Sequence, residues 1–167
     1  LIFDTSNGGK LLSALGFTQN IKSGEMKINI KFLNDKYDHY EGRIKSKKFS
    51  IINAPGIINS LSILSFSGIR SIIIGQGVFF DKGEVNLEAK NKNFNFDKLY
   101  LTSESLGISA KGSLNMEKNS INMRGSVAPI KLISKILSVV PAVGELLTGL
   151  KKEGLFAGQF EMNGLII

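Results

Sequence analysis

The sequence predicts an α+β fold: a curved antiparallel β-sheet, a groove-like or taco-like meander, with amphipathic helices covering one face or one end. Three observations carry this. Apolar and polar residues alternate at period two over most of the chain. The alternating segments are joined by turns too short for anything but antiparallel neighbours. Between them lie segments whose apolar residues recur at helical spacing.

The elements follow in order. A short helix is expected over 6–16, capped by Ser6 or Asn7, striped by Leu11, Leu12 and Leu15, and ended by Gly16. A hairpin spans 24–52. Met26, Ile28, Ile30 and Phe32 face one way against Lys27, Asn29 and Lys31, and the turn 34–38 is rich in Asn and Asp. On the return strand Tyr40, Gly42 and Ile44 oppose Glu41, Arg43 and Lys45. Pro55 opens helical segments over 56–74, where Ile57, Ile58, Leu61 and Leu64 share a stripe.

A meander over 78–128 comes next, in segments 78–90, 93–103, 106–116 and 120–128. Its apolar alternation runs through Val85, Leu87 and Ala89; Phe94 and Phe96; Leu99 and Leu101; Leu106, Ile108 and Ala110; Leu114 and Met116; and Ile121 and Met123. An amphipathic helix is expected over 129–150, with Ile130, Ile133, Ile136, Leu137 and Val140 on one face. Pro141 kinks it, and Val143, Leu146 and Leu147 resume the spacing. A final strand over 154–163 returns to the sheet.

At 167 residues the chain reads as a single domain, 1–167. The apolar fraction of 43% and charged fraction of 21% are those of a folded chain. No cysteine is present and His39 is the only histidine, so disulfides, thiolate metal sites and multi-histidine sites are excluded. No stretch offers the roughly 20 uninterrupted apolar residues of a membrane-spanning helix. Both ends read as cut, which makes the chain a fragment of a longer one. The net charge of +7 rests on lysine, with only Arg43, Arg70 and Arg124 as arginines.

The chemical motifs are thin. Gly75-Gln76-Gly77 resembles the start of a dinucleotide loop, but Phe80 stands where a third glycine belongs and a strand follows. Asp35, Asp38, His39 and Glu41 cluster in a hairpin turn, where Asp and Asn serve the backbone. Lys27, Lys31, Arg43, Lys45, Lys47 and Lys48 gather on one hairpin, but the aromatics Phe32 and Tyr40 point to its other face. The reading is therefore no enzyme, no cofactor, no metal and no nucleic acid. What distinguishes the chain is its apolar strand faces. They make either a packed core or a lipid-sized groove, with Met26, Ile28, Ile30, Phe32, Ile44, Val85, Leu87, Phe94, Phe96, Leu99, Leu101, Ile108, Leu114, Met116, Ile121 and Met123 as its lining.

Runs spread along the chain carry a resemblance. They include Gly8-Gly9-Lys10-Leu11-Leu12, Ile21-Lys22-Ser23-Gly24, Asn53-Ala54-Pro55 and Gly75-Gln76-Gly77-Val78-Phe79-Phe80. Further on come Ser105-Leu106-Gly107-Ile108, Arg124-Gly125-Ser126-Val127-Ala128-Pro129, Val140-Pro141-Ala142-Val143-Gly144-Glu145 and Glu153-Gly154-Leu155-Phe156-Ala157-Gly158. In this order they resemble the C-terminal domain of the AsmA-like superfamily, of the YhdP type, within the bridge-like lipid-transfer proteins. The resemblance implies a periplasmic segment of a phospholipid-transport bridge between inner and outer membranes, involved in outer-membrane biogenesis. Its anchor would be an inner-membrane segment of the chain not present here. The implied partners are phospholipids or a membrane surface, the remaining β-groove of the same chain, and an envelope protein. The alternative is a structural or interaction module that docks the C-terminus to an envelope partner without binding lipid.

Overall fold

The computed structural model describes residues 1–52, 77–104, 106–129 and 158–165. They form one open sheet of eight antiparallel strands with a single short helix, so the described chain is mostly β. The strands are β1 (Ile2–Thr5), β2 (Ile21–Phe32), β3 (His39–Ile51), β4 (Val78–Lys90), β5 (Asn93–Thr102), β6 (Leu106–Asn115), β7 (Ser120–Pro129) and β8 (Gly158–Leu165). Each pairs only with its neighbours in sequence, in the order β1 to β8. The meander and its segment boundaries match the alternation to within a residue or so at each strand end. The helices expected over 56–74 and 129–150 lie outside the described residues, except for Pro129, which ends β7. Of the expected final strand, 154–157 also lies outside them, and the rest is β8.

Helix α1 (Gly8–Ala14) forms inside the expected span. Asn7 caps it, its side-chain oxygen accepting from the Lys10 N–H at 3.0 Å, which satisfies one of the donors a helix start leaves open. At the other end Gly16 takes φ +75°, a conformation that costs a glycine nothing. The Gly16 N–H donates to the Ser13 carbonyl and the Phe17 N–H to the Leu12 carbonyl, the double closure of a Schellman motif. The helix sits hard against β2. A Cβ on Gly9 would meet the Ile21 carbonyl at 2.5 Å, and one on Gly8 would meet the Met26 side chain at 2.7 Å.

The turns obey their chemistry. Between β4 and β5, Asn91 and Lys92 both have positive φ (49° and 61°), the mark of a two-residue type I′ hairpin whose twist matches the strands it joins. Asn119, at φ 47°, closes the β6–β7 turn. Backbone bonds tie the three hairpin tips together: the Asn91 N–H donates to Asp38 and the Met116 N–H to Lys92.

Two features bend the sheet. Asp97 is an extra residue in β5, because Leu87 pairs with Phe96 while Asn86 pairs with Lys98. Such a bulge increases local twist. The second is a crease across β2, β3 and β4. Ser23, Gly24 and Lys48 have φ of 61°, 87° and 53°, and the register leaves Gly24, Lys48 and Asp81 unpaired while its count continues unchanged on either side. Beyond the crease the alternation inverts. Phe49, three residues from Ser46, returns to the face that Ser46 occupies, and its ring would touch a Cβ on Gly83 at 3.0 Å.

The inversion builds the core. Phe49 stacks on Phe80 with ring centroids 5.5 Å apart, and Val78, Leu101, Leu106, Ile108, Val127 and Phe160 complete the cluster. Phe80 is fully buried, which contributes about 2–3 kcal/mol of stability.

Candidate functional site

The registers assemble one uninterrupted apolar face. Residues directly opposite across antiparallel strands share a face, so the pairings can be read as rows. At the hairpin-tip end the first row runs Phe32, Tyr40, Ala89, Phe94, Leu114, Ile121, Gly164. The second is Ile30, Gly42, Leu87, Phe96, Gly112, Met123, Met162. The third runs Phe3, Ile28, Ile44, Val85, Leu99, Ala110, Gly125, Phe160. The fourth, nearest the crease, is Thr5, Met26, Ser46, Gly83, Leu101, Ile108, Val127, Gly158. No charged side chain stands in any of them.

All the candidate sheet residues except Met116 fall in these rows. Met116 lies just past β6, in the β6–β7 turn, 36% exposed. The structure thus gathers onto one surface residues drawn from β2 to β7. Glycines in the rows make room for larger neighbours: a Cβ on Gly42 would press on Leu87, and one on Gly125 on the Phe160 ring.

The face is graded. In the crease-side row Met26, Leu101, Ile108 and Val127 are buried. Towards the hairpin tips Ile30, Leu87, Phe94, Phe96, Leu114 and Ile121 are only half-buried, and Phe32 is 37% exposed. The tip end is also aromatic. Phe32 makes edge-on contacts with Tyr37 and Tyr40, at 5.0 Å and 5.9 Å between centroids, and burial pushes the Tyr40 phenol above its ordinary pKa. Helix α1 closes over part of the face. Gly8 presses on Met26, and Phe17 past its end meets Phe94 edge-on, 6.0 Å between centroids.

Period-two reading missed the tightest part of this surface. Phe49, Phe80 and Phe160 were not among the candidate residues, yet they anchor the buried end. For Phe49 and Phe80 the fixed alternation assigns the lysine face, and only the crease brings them back. The Gly24 opposite Lys48 was the available signal.

The titratable cluster of the β2–β3 turn does not converge. Asp38 accepts from the Asn34 side chain, and His39 instead meets Glu88 at 2.6 Å, Nε2 to Oε1. Among the described residues no group of three or more histidine or carboxylate side chains is arranged to hold a metal. No helix of the described residues is long and apolar enough to cross a membrane. The lysine side of the sheet is separate from the apolar rows, as the alternation of Lys27, Arg43 and Lys45 against Ile28 and Ile44 requires.

The chain matches no protein-family model, no curated protein and no solved structure.

Proposed function

We propose that this chain is a lipid-binding segment of a phospholipid-transport bridge in the bacterial periplasm, joined to an inner-membrane anchor elsewhere in its parent chain. It supplies an apolar groove, or the closed end of one, in the manner of the AsmA-like domains it resembles. A non-catalytic role is part of this reading. One observation carries it: four charge-free rows run across the sheet, packed shut at the crease and half-open at the hairpin tips. Acyl chains need no directional partner, only continuous apolar surface that excludes water. Segments 56–74 and 129–150, amphipathic by sequence, are proposed to cover the closed end, with Ile130, Ile133, Ile136, Leu137, Val140, Val143, Leu146 and Leu147 facing the sheet.

The test is lipid extraction and mass spectrometry of the purified chain, with Leu87→Asp and Phe96→Asp beside the wild type. Co-purifying phospholipid that falls several-fold in both variants, while circular dichroism stays unchanged, supports the groove. A folded wild-type chain without lipid, and without uptake of a fluorescent phospholipid, refutes it.

A second reading is favoured by a different observation. Leu33, Tyr37 and Met116 stand exposed at the hairpin tips, and Leu1, Ile2 and Phe3 at the β1 edge. Exposed apolar groups gathered in this way suit an interaction module that docks on an envelope partner. Crosslinks from position 37 to protein, in a chain that carries no lipid, would favour it.

A further inference from the structure

The opposite face holds an electrostatic arrangement that neither groove nor docking uses. Like charges placed directly across a strand pair destabilise a sheet. Where two carboxylates face each other, Glu41 and Glu88, the fold answers both: Lys31 lies 3.9 Å from Glu41 and His39 2.6 Å from Glu88. Two lysine pairs are treated differently. Lys27 faces Lys45 across β2 and β3, and Lys47 faces Lys82 across β3 and β4. Asp4 approaches Lys27 at 3.8 Å, and Glu84 is engaged by Lys98 at 3.4 Å. Among the described residues no carboxylate lies within ion-pair distance of Lys45, Lys47 or Lys82.

These lysines line a depression of about 790 Å³ that crosses β2 to β5 and ends at Tyr100 and Thr102. Its floor is backbone, because Met26, Ser46 and Gly83 in the row between belong to the apolar face. Its walls are the Lys27–Lys45 row and the Lys47–Lys82 row. The crease lies next to the second row, at Gly24, Lys48 and Asp81, so the bend that builds the core also borders this depression. Tyr100 is half-buried at one end, and desolvation raises its phenol pKa, which keeps the hydroxyl a hydrogen-bond donor at neutral pH.

We propose that the depression is a binding site for a phosphate-class oxyanion, held by Lys45, Lys47 and Lys82, with the Tyr100 and Thr102 hydroxyls lining one end. An oxyanion there would supply the counter-charge the fold withholds and would draw charge-assisted hydrogen bonds from the ammonium groups. The chemistry is shared by free phosphate or pyrophosphate and by a phospholipid head group, and it does not depend on the apolar face carrying lipid.

The experiment titrates the full chain with pyrophosphate by calorimetry, and measures co-sedimentation with vesicles of phosphatidylglycerol in phosphatidylcholine. The triple variant Lys45→Gln/Lys47→Gln/Lys82→Gln is compared with Lys90→Gln/Lys92→Gln/Lys118→Gln, which removes the same charge at the hairpin tips. Saturable binding weakened about tenfold or more in the first variant but not in the second supports the site. Free pyrophosphate binding identifies a soluble ligand, and vesicle binding alone identifies a head group. The thermal midpoint keeps the test readable. The first variant, relieved of facing like charges, should melt no lower than wild type, and pyrophosphate should raise the midpoint of wild type only. Equal loss in both variants means general attraction to a basic protein and overturns the proposal. So does the absence of binding in both arms.

Discussion

The edge of the Phe17 ring meets Phe94 with centroids 6.0 Å apart and planes at 86°, although β2, β3 and β4 all lie between their elements in the sheet order. Phe17 follows α1 at the β1–β2 connection, and Phe94 sits near the start of β5. A flat sheet would hold them far apart. The contact therefore measures the coiling of the sheet, and it pins the end of α1 across the apolar face. Edge-on aromatic pairs contribute about 0.5–1.5 kcal/mol beyond burial. A double-mutant cycle of Phe17→Ala and Phe94→Ala should return a coupling in that range by urea denaturation, with faster amide exchange in α1 in each single variant. Additive losses would mean that the helix is held by its glycine seat alone.

Adjacent phenylalanines offer an internal control on the core. Phe80 is fully buried and Phe79 is 48% exposed. Phe80→Ala should cost about 3–5 kcal/mol. Phe79→Ala should change the urea midpoint little by comparison, since exposed positions tolerate substitution. A similar loss in both would show that something other than the Phe49–Phe80 stack sets the stability of this region.

Lys48 takes φ +53° in the middle of β3, where an ordinary side chain is strained by about 1–2 kcal/mol. Glycine relieves that strain but loses more freedom on folding, so Lys48→Gly should stabilise by at most ~1 kcal/mol. Lys48→Val, β-branched, should destabilise by ~1 kcal/mol or more. Thermal melts of the pair read the crease directly. A stabilising valine would mean that β3 prefers to run straight.

Burial raises the pKa of both Tyr40 and Tyr100 above the ordinary 10.0. The unfolded chain then ionises first. Stability from the neutral phenols is fully present below pH 10.0 and is lost as the pH rises through the folded values. The double variant Tyr40→Phe/Tyr100→Phe should lose less stability than wild type between pH 10 and about 12. Parallel pH profiles would contradict the linkage.

Much of this was legible in the sequence, and the reasons are physical. Strands β4 to β7 are short alternating runs bounded by Lys-Asn-Lys-Asn, Ser-Glu-Ser and Glu-Lys-Asn-Ser, so their period and their punctuation agree. The apolar rows follow, because register in a meander with tight turns leaves little freedom. The bulge at Asp97 was visible only as a three-residue step between Phe96 and Leu99. The crease was hidden. Ser23 and Lys48 carry no compositional signature of positive φ, so period two misdirects Phe49 and Phe80. Strand β1 was obscured by brevity: Ile2–Thr5 is too short to show a period, and its pairing with β2 comes from the partner's length. Pairings between lysines on separate strands depend on register, and a list of basic residues on a hairpin does not reveal which ones face each other.

The neighbour-only strand order has a kinetic and evolutionary consequence. Each new strand finds its template in the one just completed, so the sheet can assemble as a zipper, and loop closure between consecutive strands adds only slowly with the length of the connection. No strand is inserted between two others that must already exist. A sheet wired in this way tolerates growth by one hairpin at either border without any interior pairing being remade, much as stacked repeats do. Length is then a quantity selection can adjust in steps, while the rows along the apolar face simply extend.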